Sequence, residues 1–273
     1  MFPDAANKVE LVKNGYNPEQ FYVDNNVNVD SIYDKLSSNR SSDGKLPKDF
    51  DKMVLFVGKF ADFKGIDVLL NAAKIYEQKL KEKNINVQTI IVGTGSLEKD
   101  LWKQADDLNL QNTHFVGLQK PDITCPLQNI ATVSVVPSRK EPFGLVVIEG
   151  TACGHPVIGT NSGGIPDILN TTGKQIKENY NFDKDSSNNA ILKPDEGTTG
   201  SYTTPLGMLV PMDDSNALAD AIIKICSGEK TFDNKLIAEY TKKTYSQDTI
   251  SNHLISLFKE AATQKNNNTI ESR

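Results

Sequence analysis

Read only as hydrophobic and polar positions, the chain repeats one unit: a short continuous apolar run, a loop rich in Gly, Ser or Lys, then a longer segment with apolar residues at helical spacing. The apolar runs fall at 53–57, 87–92, 114–116, 132–136, 156–159 and 207–210. Runs without alternation belong to strands buried on both faces, as in a parallel sheet covered by helices. Periodic segments follow at 66–83, 96–109, 123–130 and from Gly144 onward, with three more at 214–227, 232–243 and 247–263. Such alternation predicts a doubly wound, Rossmann-like α/β sheet whose functional loops leave the carboxyl ends of the strands.

The pattern breaks in four places, and these set the expected organisation. Residues 1–23 hold a short alternating strand at 8–12 and an Asn14-Gly15 turn, and read as a connection into the domain. Residues 24–52 are polar with a weak helical patch at 29–36, and read as an insertion or linker. Within the 53–263 domain, the stretch 170–205 is so rich in Asn, Asp, Ser, Thr, Gly and Lys that a flexible insertion is expected. The polar residues 264–273 read as a disordered tail. Just before them Ile250, Leu254, Leu257 and Phe258 share one helix face, as in a helix that packs on a partner surface.

Composition narrows the function classes. With 273 residues and a net charge of −5, the chain suits one large or two small soluble domains and offers no surface for nucleic acid. Its apolar runs fall far short of the roughly 20 residues that cross a bilayer. The amino-terminal MFPDAANK lacks a signal-peptide pattern, and Cys125, Cys153 and Cys226 are odd in number and scattered, so a reduced cytoplasm is the expected compartment. Neither a C-x-x-C nor clustered histidines occur, and no metal site is expected; His114, His155 and His253 read as strand-edge, loop and helix-surface residues.

Chemistry concentrates between Pro137 and Leu169. Here a strand runs into a Pro-Ser turn and an acidic loop, and Gly144 stands at the mouth of the next helix, where free backbone N–H groups can receive an anion. Glu141 and Glu149, eight positions apart, bracket that mouth. Ionised carboxylates accept only, which suits the paired hydroxyls of a sugar better than a phosphate. Two lysines, Lys59 and Lys64, stand in the loop that leaves the first buried strand at Gly58. Gly93-Thr94-Gly95 follows the next strand, but Glu98 occupies the place of the third glycine of a dinucleotide fingerprint, and no P-loop pattern occurs.

Glu141, Pro142, Phe143, Gly144 and Glu149 resemble the E-x7-E element of retaining glycosyltransferases of family 4, which have the GT-B fold. VGKFADFKG resembles the family's basic loop, with Lys59 where the family usually has Arg, and VKNGYNPEQF resembles its inter-domain element. Asp167 stands where the family commonly has Glu. The resemblance runs from Val9 to about Thr263 and covers the second, donor-binding half of a GT-B enzyme; an amino-terminal acceptor domain, in cis or in trans, is the implied partner.

The implied reaction is metal-independent glycosyl transfer from a nucleotide-diphosphate sugar, first of all a UDP-sugar, and no other cofactor. On that resemblance Glu141 meets the hexose and Glu149 the ribose diol. Phe143, Gly144 and Leu145 offer backbone N–H groups, and Lys59 and Lys64, with Arg139 as a candidate third charge, hold the diphosphate. Gly58, Gly93 and Gly95 permit close approach of the nucleotide, and Leu118, Gln119 and Lys120 are candidates for the base. A non-catalytic nucleotide-sugar-binding module or the donor subunit of a split glycosyltransferase is the alternative, and a sugar phosphorylase on the same fold a further one.

Overall fold

The structure is a computed structural model and describes residues 10, 12–38, 44–169, 183–184, 190–191 and 200–271. Seven strands form one sheet: β1 (Lys52–Val57), β2 (Val87–Val92), β3 (Thr113–Phe115), β4 (Val133–Val136), β5 (Val157–Thr160), and, late in the chain, β8 (Tyr202–Thr204) and β9 (Gly207–Val210). A separate antiparallel pair consists of β6 (Asp183–Lys184) and β7 (Ala190–Ile191). The order across the sheet is β3-β2-β1-β4-β5-β9-β8, and every pairing is parallel except β8 with β9.

The doubly wound α/β sheet expected from the pattern is therefore present. Strand order reverses between β1 and β4, which makes the gap between their carboxyl ends the topological switch point.

Both faces of the sheet are covered, which explains the unbroken apolar runs. Val54 and Phe56 of β1 face a core built from α2 (Ile66–Glu82), α3 (Glu98–Asp107) and α7 (Ser215–Cys226), where Leu69, Tyr76, Leu101 and Ile222 are buried. Met53 and Leu55 point the other way, toward Leu127 of α4 (Pro121–Ile130). The rest of that face is closed by α5 (Leu145–Ala152), α6 (Ile165–Leu169) and α8 (Asn234–Tyr245). The late helices begin as their sequences dictate: Asp214 and Asp233 cap α7 and α8 by accepting the N–H groups of Ala217 and Leu236.

Three expected stretches carry more structure than their composition suggests. Within 24–52 the expected helical patch is α1 (Val29–Tyr33), which with the described residues after it buries Ile32, Tyr33, Leu36 and Leu46 over the sheet. Val29, Ile32, Tyr33 and Leu36 stand at i, i+3, i+4 and i+7, which puts their apolar surface on one stripe. Most of 170–205 lies outside the described residues, but its end is sheet: β8 pairs with β9, and Ser201 and Thr204 are fully buried. The last helix, α9 (Gln247–Glu271), runs past 263 into the stretch expected to be a disordered tail.

The strand expected at 8–12 falls largely outside the described residues, while Tyr16 bridges in parallel to Ser246 between α8 and α9. Of the apolar face expected on α9, Phe258 is 70% exposed and Ile250, Leu254 and Leu257 are half-buried. Cys125, Cys153 and Cys226 are all buried and free.

Candidate active site at the strand switch point

The loops after β1 and β4 leave the sheet side by side, and backbone contacts hold them together. Gly65 caps α2 with a φ of 65°, and a Cβ there would lie 2.0 Å from the Pro137 carbonyl, so only glycine lets the two loops meet. Phe63 O accepts the N–H groups of Arg139 at 2.8 Å and Lys140 at 3.2 Å. Lys64, the next residue, reaches across to Glu141, with Nζ 2.5 Å from Oε2 and both side chains mostly hidden from solvent. Ser138 Oγ also donates to Glu141 at 3.4 Å. The Glu141 carboxylate is thus paired with a lysine ammonium, a group that carries three donors.

The loop after β5 supports this arrangement from the other side. Thr160 donates to Ser138 O at 2.5 Å and Ser162 to Arg139 O at 3.0 Å, and Gly164 N–H donates to Glu141 O at 2.9 Å. Gly163 has φ 55°, and a Cβ on it would sit 1.8 Å from Glu141 O. The sequence shows this Ser-Gly-Gly loop, but nothing in its composition says that it braces Glu141.

Gly144 caps α5 in the left-handed region at φ 97°. The N–H groups of Phe143, Gly144 and Leu145 have no backbone acceptor among the described residues, leaving the helix mouth open to an anion. Glu149 lies a turn further along α5, half-buried and with no hydrogen-bond partner for its carboxyl among the described residues; burial pushes that carboxyl up to about 7.

Leu145 is exposed and Phe143 half-buried. Lys59 is exposed just after Gly58. Gly93 and Gly95 serve the site indirectly: a Cβ on either would lie 1.8 Å from Gly58 O or 2.2 Å from Phe60 O, so their small size lets the β1 and β2 loops touch. After β3, Leu118 is 75% exposed at the same edge and Gln119 donates to Val116 O at 2.6 Å.

Arg139, expected either as a third charge or as a surface residue, is engaged within the protein. Its guanidinium bonds Asp67, Asp213 and the Asp62 carbonyl, and the Asp67 hydrogen bonds above all raise its pKa. It is occupied by protein carboxylates, not presented to a phosphate.

His155, expected in a loop, is buried: its Nε2 lies 2.8 Å from Ser134 Oγ, which donates to Gln128 Oε1 at 2.7 Å. His114 is buried in edge strand β3, and His253 lies on α9 with Nε2 3.1 Å from Glu10. Among the described residues no group of three or more His, Cys, Asp or Glu is placed to hold a metal ion, and no helix is long and apolar enough to cross a membrane.

A basic loop, a paired glutamate and an open helix mouth thus come together at the switch point of a parallel sheet, the place where open α/β sheets receive their ligands. The family described as glycosyl transferases group 1 matches residues 37–193, more than half of the chain, and the chain belongs to that family.

An uncharacterised glycosyltransferase of Methanocaldococcus jannaschii is 32% identical over 170 residues, 62% of this chain and 40% of that protein. The O-antigen chain mannosyltransferase C of Escherichia coli is 26% identical over 76% of this chain and 45% of its own length. The chain thus spans less than half the length of these curated relatives. Among solved structures, the sucrose-phosphate synthase of Thermosynechococcus elongatus superposes with a TM-score of 0.66 at 25% identity, over 93% of this chain and 53% of that one. The Anabaena protein Alr3699/HepE in complex with UDP and glucose gives 0.64 at 17%, over 93% and 57%. The carboxyl-terminal domain of a group 1 glycosyl transferase from Francisella tularensis gives 0.52 at 20%, over 87% of this chain and 97% of that one.

Proposed function

We propose that this chain is the donor-binding half of a retaining GT-B glycosyltransferase of family 4, and that it takes a nucleotide-diphosphate sugar, a UDP-sugar first of all. The observation that carries the reading is the Lys64–Glu141 pair held beside the open mouth of α5. Lys64, Lys59 and the N–H groups of Phe143, Gly144 and Leu145 receive the diphosphate, where negative charge grows as the glycosyl bond breaks. Glu141, held in place by Lys64 and Ser138, accepts from the hexose hydroxyls. Glu149 accepts from the ribose diol, and Leu118 offers the base an apolar platform on the β3 loop.

The acceptor side of the reaction is assigned to residues outside this sequence, in cis or in trans. Holding the acceptor against the anomeric carbon supplies roughly 7 to 11 kcal/mol of such a barrier, so the chain by itself is expected to bind donor and hydrolyse it slowly. Calorimetric titration with UDP-glucose, GDP-mannose and ADP-glucose tests the reading. Binding of one of them, weakened about ten- to hundred-fold in Glu149→Ala by loss of charge-assisted bonds to the diol, is the expected result. Absence of binding to all three, or equal affinity in the variant, refutes the assignment.

A further inference from the structure

Arg139 belongs to the β4 loop, two residues before Glu141, yet its guanidinium faces protein on nearly every side. Nε lies 2.6 Å from Asp213 Oδ1, while Nη1 and Nη2 grip the two oxygens of Asp67 at 3.0 and 2.6 Å. Nη1 also donates to Asp62 O at 2.6 Å. Four contacts thus use most of the five donors that a guanidinium has. Asp62 and Asp67 flank Lys64 on the β1 side of the site, and Asp213 follows β9. The main chain of Arg139 adds two ties: its N–H donates to Phe63 O and its carbonyl accepts from Ser162 Oγ after β5. One residue therefore touches the loops of four strands.

We propose that Arg139 is a positioning residue which locks the loops after β1, β4 and β9 into one unit, and that this unit sets the Lys64–Glu141 pair for the donor. The second clause rests on the function proposed above; the first rests on the bonds alone. Two features favour a lock over a phosphate ligand. Asp67 sits in the first turn of α2, where the helix dipole holds a carboxylate, so the bidentate pair is anchored at both ends. Asp213 has φ 56°, a conformation that costs energy outside glycine and that here aims its carboxylate at Nε. A lysine has one ammonium and cannot reproduce the fork.

The test uses two variants, Arg139→Lys and Asp213→Asn, and their double. Asparagine tolerates the left-handed region as aspartate does, so Asp213→Asn removes charge without a new backbone demand. If Arg139 were a phosphate ligand, Asp213→Asn would loosen its hold on the protein by releasing Nε, and UDP-glucose would bind as well or more tightly. As a lock, each single variant weakens binding by about tenfold, and the double is no weaker than Arg139→Lys alone because Asp213 acts only through Arg139.

Hydrogen exchange without ligand reads the lock independently of any donor. The amides of Lys64, Arg139 and Lys140 should exchange faster in both variants, while those of Val87–Val92 stay unchanged. Faster exchange at those amides with no UDP-glucose binding by the unmodified chain would sustain the lock and sink the functional reading. Unchanged exchange, or tighter binding in Asp213→Asn, would overturn the lock.

Discussion

Lys64 and Glu141, 77 residues apart in sequence, form the shortest route between the two loops that flank the switch point, with Nζ 2.5 Å from Oε2. The pair solves a problem of chemistry. On the function proposed above, a diphosphate needs a cation and a sugar needs an acceptor, and the pair sets the two side by side. It also predicts opposite results for its two members. Lys64→Met leaves a largely hidden carboxylate without its partner, so it should lower stability by about 1–3 kcal/mol and weaken UDP binding at least tenfold. Glu141→Gln keeps the shape and frees the ammonium, so UDP binding should hold or tighten while donor hydrolysis falls. Calorimetry and a hydrolysis assay on both variants check this; equal losses of binding would show that the two do not play separate roles.

The basic loop, Gly144 and Glu141 are legible in the sequence because they sit in short loops at fixed offsets from apolar runs, and Glu149 because it follows within the first turns of the next helix. Long-range partnerships are not. Nothing near Arg139 says that Asp67 and Asp213 will meet it, since those residues come from helices and loops 72 and 74 positions away. The edge strand β8 is hidden for another reason: Tyr202–Thr204 needs only one partner strand, so its composition resembles that of the polar stretch before it in the sequence. The burial of His155 is equally silent in the sequence, because a short loop between α5 and β5 tucks it under Gly150, where a Cβ would come within 3.1 Å of Nε2.

Glycines with the same backbone demand but different surroundings should separate strain from collision. Gly117 has φ 70° and nothing within 4 Å of the point where a Cβ would stand, whereas Gly163 at φ 55° faces Glu141 O at 1.8 Å. Gly117→Ala should cost only the conformational term, about 1–2 kcal/mol. Gly163→Ala must also push the Glu141 backbone aside and break the Gly164 N–H bond to it, so its loss should be roughly twice as large or more. Thermal unfolding ranks the two, and donor titration adds the site: Gly163→Ala should bind UDP-glucose more weakly and Gly117→Ala nearly as the unmodified chain does. Equal destabilisation would mean that the loop yields freely.

His155 should make the fold acid-sensitive. Its enclosure lowers the imidazole pKa to about 3, from 6.5 when exposed. The unfolded chain therefore takes up a proton that the folded one refuses, and this contribution to stability is present above pH 6.5 and lost as pH falls toward 3. The slope is about 1.4 kcal/mol per pH unit in that interval. His155→Gln has no group to protonate there, so its stability should vary less between those limits. A denaturant series from about pH 4 to 7 with parallel curves for the two chains would contradict it.

Glu149 gives a different pH signature, and it bears on function directly. Burial raises its carboxyl from 4.5 to about 7, so the folded chain holds a proton that the unfolded chain has released. Stability from this group is full below pH 4.5 and declines as pH rises through 7. Glu149→Gln should remove the decline and, above about pH 7, stabilise the fold by about 1–2 kcal/mol after allowance for the solvent that reaches a half-buried group. Ligand binding should run the other way. Only the ionised carboxylate accepts from both hydroxyls of a ribose diol, so donor affinity should rise as the proton leaves, about tenfold from pH 6 to pH 8 for a group titrating near neutrality. UDP-glucose is the right probe, because its diphosphate is esterified at both ends and does not change charge in this range. Calorimetry at about pH 6 in buffers of different ionisation enthalpy should show proton release on binding, and Glu149→Gln should abolish both the release and the pH slope. A slope that survives in the variant would assign the titration to another group and remove Glu149 from the diol.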